Sequence, residues 1–341
     1  IRVMPRWNAH RTVTRPAAVK TTTDVVPRFC GFRLNLVPGD VEWEVKVLRF
    51  FSQGFWKRVY ISLEAAFNQK EINHVTGDVN FITLFLRKRK TVLTMLDLGL
   101  MNHPNRFARA VLKIFWVTLP VKTSAVVTTI SHATKTELLR YVSVDPSKIK
   151  VVYVPISNLF IPVPKKFNKE KPTLLQIGTK PNKNISRLAR ALKGVCCKLQ
   201  IIGLVNEELR QELAANDIDY CASANLSNEE IVRQYQDADI ITFVSTYEGF
   251  GMPIVEANAT GRVVITSNVL SMPEIASDAA HLVDPYDINS IREGVVRVIE
   301  DDEYRDRLIA NGYKNRHRFD VKAIADQYAK IYRSLSHKLL E

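Results

Sequence analysis

Between Thr242 and Gly261 the chain reads T-F-V-S-T-Y-E-G-F-G-M-P-I-V-E-A-N-A-T-G, and this stretch leaves its surroundings little freedom. The apolar run Ile240 to Val244, closed by Ser245 and Thr246, has the composition of a buried strand. Gly249 and Gly251 then turn the backbone into a helical pattern that tolerates Pro253 in its first turn. A strand, a glycine turn and a helix start leave unpaired backbone N–H groups pointing outward, which makes an anion site. Two carboxylates frame it. Glu248 stands just before the turn and Glu256 about one turn into the helix, so both can face one cleft. A carboxylate is a poor anion ligand but a good acceptor for neighbouring hydroxyls. Glu256 therefore suits a ribose and Glu248 a second sugar, with a phosphate between them: the layout of a nucleotide sugar. The plainer reading makes Glu248 a helix cap and Glu256 a solvated helix residue, and neither role requires the string between them.

The rest of the chain alternates strands and helices, which argues for an α/β fold with parallel sheets. At 341 residues it can form two domains of ordinary size. In the first half, Ile1–Met4 reads as a strand, Lys46 to Phe55 and Tyr60 to Phe67 as amphipathic helical or mixed segments, and Ile72 onward as a short strand followed by a turn. Thr91 to Leu96 and Ala125 to Ile130 are strands, Arg106 to Val117 is a helix, and Ser131 caps a helix to Tyr141 before the strand at Ile149. Pro155, Pro162, Pro164 and Pro172, among Lys165, Lys166, Lys169 and Lys171, read as a linker over 155–172. The pattern restarts with strand Thr173–Ile177, helix Ile185–Leu192 and strand Lys198–Ile202, and Ser227 caps a helix to Asp237. The expected domains are thus 1–154 and 173–320, with a closing helix over 321–341. In a doubly wound domain ligands bind at the carboxyl ends of the strands, where both the central string and I-G-T-K-P-N-K-N lie. Lys183 of the latter can reach a phosphate as a flexible point charge.

At E-G-F-G-M-P-I-V-E the chain resembles the retaining glycosyltransferases of family 4, whose signature is a Glu, seven residues and a Glu around Gly-Phe-Gly-(Leu/Met)-Pro. S-N-V-L-S-M-P-E-I-A, V-D-P-Y-D and the stretch around Asn311-Gly312 extend the likeness in the expected order. The resemblance implies the GT-B fold, two facing Rossmann-like domains with acceptor contacts from the first and donor contacts from the second. It implies a hexosyltransferase that uses GDP- or UDP-hexose as donor, with no cofactor and no metal. Carried over residue by residue, the donor site is Gly178, Thr179, Lys183, Phe250, Gly251, Met252, Pro253 and Glu256, and Glu248 is the catalytic carboxylate on the sugar. The family's Arg after the first glycine is Thr179 here, and its His before an Asp is Leu96, before Asp97. His103 is the nearest substitute, and His74, before T-G-D, is another candidate for the cleft. The glycine-rich loop after the first strand is missing too, since no glycine precedes Gly31.

Charge suggests the acceptor's surroundings. Residues 1–170 hold 27 Lys and Arg against 11 Asp and Glu, and the remainder hold 21 against 24. A basic first half fits a glycan or lipid-diphosphate acceptor of the O-antigen or capsule type at an anionic membrane surface, met through Arg87 to Lys90 and the Arg106–Val117 helix. Those helix apolars could equally be core. No apolar run spans a bilayer, I-R-V-M-P-R lacks a signal-peptide core, and Cys30, Cys196, Cys197 and Cys221 show no C-x-x-C pair, so a cytoplasmic protein, peripheral on the inner face, is expected. Asp217/Asp219 and Asp237/Asp239 have the D-x-D form of a metal site but flank strand starts, where Asp commonly ends a turn. The other readings are a GT-B epimerase or phosphorylase, and a nucleic-acid binder, against which the scarcity of aromatic–basic clusters argues.

Overall fold

A computed structural model describes residues 2–4 and 44–337, and the chain divides into two compact units, Ile1–Tyr153 with Val321–Glu341, and Val154–Asp320. The readings made on Cys30 and on the missing glycine loop fall outside the described residues.

The first unit is a parallel sheet of β1 (Arg2–Met4), β2 (Val45–Val47), β3 (Asn73–Thr76), β4 (Thr91–Met95), β5 (Val126–Thr129) and β6 (Ile149–Val151), in the order β2-β1-β3-β4-β5-β6. Every residue of β3 and β4 is buried, as expected of central parallel strands. Helices α1 (Phe55–Phe67), α2 (Arg106–Leu112), α3 (Leu119–Thr123) and α4 (His132–Tyr141) connect them. Two sequence expectations need correction here. Lys46 to Phe55 is not helical: Val45 to Val47 pairs with β1, and α1 begins only after Gly54, whose φ of 76° interrupts any helix. The Arg106–Val117 helix is not uniform either, because Lys113–Thr118 widens into a π-helix. Pro120 lies just beyond, and the wider turn relieves its clash with the carbonyl of the preceding turn. Ser131 caps α4 as expected, accepting from Thr134 N.

His74 is a buried structural residue. Its Nε2 lies 2.6 Å from Thr94 Oγ1 and its Nδ1 2.8 Å from the hydroxyl of Tyr332 on the closing helix Val321–His337. That helix belongs to the first unit, so the closing segment is part of a domain rather than an appendage.

The second unit is a parallel sheet of β7 (Thr173–Ile177), β8 (Lys198–Ile202), β9 (Tyr220–Ser223), β10 (Ile240–Phe243), β11 (Val263–Ser267) and β12 (His281–Val283). Their order is β12-β11-β10-β7-β8-β9, a doubly wound sheet whose direction of winding reverses between β7 and β10. Helices α5 (Ile185–Leu192), α6 (Glu207–Ala215), α7 (Asn228–Asp237), α8 (Met252–Thr260), α9 (Met272–Ala276), α10 (Ile288–Glu300) and α11 (Asp302–Asn315) cover it. Ser227 closes a full capping box with Glu230 at the start of α7.

The proline- and lysine-rich stretch read as a linker lies within this unit from Val154 onward. Its backbone is tied down: Arg262 donates to Val163 O at 2.9 Å, and Ile156 N donates to Phe319 O at 3.0 Å. Asp239 completes the anchorage, accepting from Lys165 Nζ, from Asn168 N at 3.2 Å and from Thr173 N at 2.9 Å. A carboxylate so occupied by chain donors serves packing. Asp219, from the other D-x-D pair, is held by Lys171 at 2.9 Å, which keeps its carboxyl below the usual range. Cys196, Cys197 and Cys221 are free thiols, and burial pushes that of Cys197 up to about 11. No helix among the described residues is long and apolar enough to cross a membrane.

Candidate functional site

The site gathers at the carboxyl ends of β7 and β10, adjacent strands at the switch point of the second sheet. From β10 the chain passes Glu248 and turns through Gly251 into α8. Gly251 has φ 119°, and a Cβ there would meet Ile254 Cδ1 at 2.9 Å, so both backbone and space require glycine. Ser271, at the start of α9, donates to Glu248 O at 2.9 Å and Phe250 O at 2.8 Å, so one hydroxyl clamps both sides of the turn. The Phe250 ring is buried and packs edge-on against Phe319 at 5.7 Å, which leaves its backbone as the part that can face a ligand. Among the described residues no side chain caps α8. Pro253 has no N–H and Ile254 N returns to Gly251 O at 3.0 Å, so the helix start presents the amides of Gly251 and Met252. Every residue of α8 from Pro253 to Thr260 is buried, the polar Glu256, Asn258 and Thr260 included.

The loop after β7 supplies the cation. Gly178 has φ 84°, and a Cβ there would lie 3.1 Å from Lys183 Cε, so its absence lets the lysine stem run back across the loop. Lys183 Nζ then reaches Glu248 Oε1 at 2.6 Å and lies 4.8 Å from the centre of the Phe243 ring. Both side chains of this pair are only partly exposed. Asn182 bridges the same two loops, donating to Tyr247 O at 3.0 Å and Glu248 Oε1 at 3.1 Å. Asn184, in the left-handed region at φ 61°, donates to Val244 O at 3.0 Å and Pro285 O at 2.7 Å, which fixes the lysine loop to the end of β12. Thr179 packs its side chain over Gly203, at the end of β8.

Glu256 is 3% exposed, with Tyr235 of α7 donating its hydroxyl to Oε2. A buried carboxylate needs such a donor, because an unpaired charge in the interior is costly. The solvated-helix reading of Glu256 therefore fails. Gly178, Lys183 and Glu248 thus meet beside the turn that leads through Gly251 into α8, where Met252 and Pro253 open the helix; Glu256 lies about one turn further along it, and Thr179 stays over Gly203. His103 belongs to the first unit, exposed, with its Nδ1 accepting from Asn105 N at 3.2 Å. Asn182, Ser271 and Tyr235 are the residues that sequence reasoning missed. The first two sit inside strings that drew attention without a role, and Tyr235 carries no local signal.

Residues 159–315 match the family described as glycosyl transferases group 1. The O-antigen chain mannosyltransferase B of Escherichia coli is 33% identical over 108 residues, 32% of this chain and 28% of that protein. The MMP alpha-(1->4)-mannosyltransferase of Mycolicibacterium hassiacum is 27% identical over 220 residues, 60% of this chain and 53% of that protein. The matches thus span about half or less of these relatives' lengths. Sucrose-phosphate synthase from Thermosynechococcus elongatus superposes with a TM-score of 0.73 over 88% of this chain and 87% of that one, at 18% identity. The two doubly wound units are those of the GT-B fold.

Proposed function

We propose that this chain is a retaining glycosyltransferase that moves a hexose from a nucleoside diphosphate sugar to a hydroxyl acceptor. The observation that carries the reading is the Lys183–Glu248 pair set beside an uncapped, glycine-turned helix start at the sheet's switch point. An anion ligand and a hydroxyl ligand stand there within one hydrogen bond of each other. The glycosyl transferases group 1 match over the same residues supports it.

In this reading the diphosphate sits against the amides of Gly251 and Met252, with Phe250 shaping the turn, and draws Lys183 away from Glu248. The negative charge that develops on the departing diphosphate meets groups already oriented toward it. Glu248, released from the ammonium, accepts from the sugar's 3- and 4-hydroxyls, and Glu256 accepts from the ribose. No side chain at the site is a poised nucleophile, so the acceptor attacks on the face that the leaving group vacates. Both sequence relatives are named as mannosyltransferases, which puts mannose first among hexoses, carried on GDP or UDP. The acceptor is a glycan or a lipid-diphosphate intermediate of the O-antigen or capsule type, at an anionic membrane surface. The reaction needs no metal.

The test is a thermal-shift panel of GDP-, UDP-, ADP- and dTDP-sugars, followed by transfer assays with the donor that binds. A donor at a hundred times its Kd adds about 2.7 kcal/mol to stability. Turnover with that donor should survive EDTA. A panel without a shift, or activity lost to EDTA and restored by Mn²⁺, contradicts the reading.

A further inference from the structure

Glu256 has one oxygen engaged and one left over. Tyr235 donates to Oε2, and no described residue donates to Oε1, which is also absent from the wholly buried polar atoms that lack a partner. Oε1 therefore keeps contact with solvent although the residue as a whole is buried. Tyr235 itself is fully buried, and its ring is seated edge-on against Phe160 at 5.3 Å, with the planes at 88°. Its helix α7 is pinned at the start by the Ser227–Glu230 capping box, so the hydroxyl is held from both ends of its support. A carboxylate free to rotate about its last bond would exchange its oxygens. One donor from a rigid phenol stops that and fixes which lone pairs face outward.

We propose that Tyr235 is a positioning residue for ribose recognition: it clamps Oε2 of Glu256 so that Oε1 accepts from the ribose of a nucleoside diphosphate. The inference rests on the ribose role given to Glu256 above. It adds that selectivity for ribose over a deoxygenated sugar depends on a hydroxyl buried on another helix. A structural tyrosine would stabilise the fold and leave that selectivity alone.

The probe is GDP or UDP, whichever binds the full chain, compared with its 2′,3′-dideoxy counterpart by titration calorimetry. A site built to hydrogen-bond hydroxyls rejects the analogue that lacks them, here by an expected ~10-fold or more in Kd. Tyr235→Phe keeps the ring and its seat and should abolish most of that ratio while still binding the dideoxy nucleotide as well as the parent protein does. Glu256→Ala should abolish it too. A ratio kept in Tyr235→Phe but lost in Glu256→Ala overturns the role of Tyr235 and leaves the ribose reading standing. A ratio kept in Glu256→Ala removes Glu256 from the ribose, and the proposal with it. Glu256→Gln gives an independent check should Tyr235→Phe fail to fold. The Tyr235 hydroxyl needs an acceptor and so fixes the amide oxygen inward, which leaves –NH₂ facing the ribose and lowers the ratio. An unchanged ratio in Glu256→Gln means the amide turns freely and the clamp does not exist.

Discussion

Lys183 cannot serve Glu248 and a phosphate equally at once. With Nζ 2.6 Å from Oε1, the ammonium is held by the carboxylate, and the diphosphate proposed to bind here must compete for it. The two residues should therefore respond in opposite ways. Lys183→Ala removes an anion ligand and should weaken nucleoside diphosphate binding by about 1–3 kcal/mol, the usual cost of leaving charged groups without a partner. Glu248→Ala frees the lysine, so affinity for the bare nucleoside diphosphate should hold or rise while turnover collapses. Calorimetry beside steady-state rates measures both, and a Glu248→Ala protein whose nucleotide affinity falls along with its turnover would show that the competition is imaginary. Much at this scale was legible in the sequence. Gly251, Lys183 and both glutamates were readable because each sits in a local string whose chemistry is local. Tyr235 and Asn182 were not, because what they do depends on partners 21 and 66 residues away in the chain.

Elements of the second unit followed the sequence closely. β7, α5 and β8 begin and end where the sequence pattern places them, since β7 and β8 are short, mostly apolar runs and α5 repeats Ile185, Leu188, Ala189 and Leu192 at helical spacing. The first unit was harder. Val45 to Val47 takes its strand from a hydrogen-bonding partner, and Lys113–Thr118 takes its π-helix from a proline one turn later. Neither cause is visible in a residue window that looks only for period. At this scale β12 and α10 set a dependence on pH. His281 of β12 is wedged against α10, where a Cβ on Gly294 would meet its Cδ2 at 2.7 Å, and its Nδ1 lies 2.7 Å from the Tyr304 hydroxyl. Burial, and then the charge of Arg297, holds the imidazole below the usual histidine value. The folded state therefore resists a proton that the unfolded chain accepts from about pH 6.5 downward. Stability is unaffected by this residue at higher pH and declines as pH falls through that value toward the lowered folded one. The unfolding midpoint should accordingly drop more steeply between pH 7.5 and 5 in the parent protein than in His281→Gln. Parallel curves would exonerate the histidine. The end of β12 is also where Pro285 holds Asn184, so loosening this edge loosens the anchorage of the lysine loop.

For the molecule as a whole, the charge imbalance coincides with apolar surface. On α1, Trp56 is 79% and Phe67 87% exposed, and with Tyr60 and Leu63 they line one helical stripe. On the next helical segment Phe107 is 79% exposed, and Val111, Ile114 and Phe115 are exposed as well, which rules out the core reading of these four; Trp116 and Val117 are the buried ones. Arg58 joins the segments by stacking over Trp116 at 4.8 Å. Large apolar side chains beside Lys57, Arg106 and Lys113 are the combination an interfacial surface requires, and we propose that it meets an anionic bilayer, at about 1 kcal/mol for each basic residue near it. The protein should co-sediment with anionic vesicles, release at high salt, and bind more weakly once Trp56 and Phe107 become Ser or Arg87 to Lys90 become Gln. Equal binding to neutral vesicles, or variants that bind as before, would assign this surface another partner.

The first unit takes strands from the start of the chain and its closing helix from the end, with Tyr332 reaching His74 across 258 positions. The second unit is a single uninterrupted run, Val154–Asp320. During synthesis the two are therefore not equals, although they come off the ribosome in the opposite order to their completion. The second unit has all of its residues before the last helix exists. The first unit, begun earlier, lacks its closing helix until its neighbour has been translated, so it is the later of the two to have all of its parts.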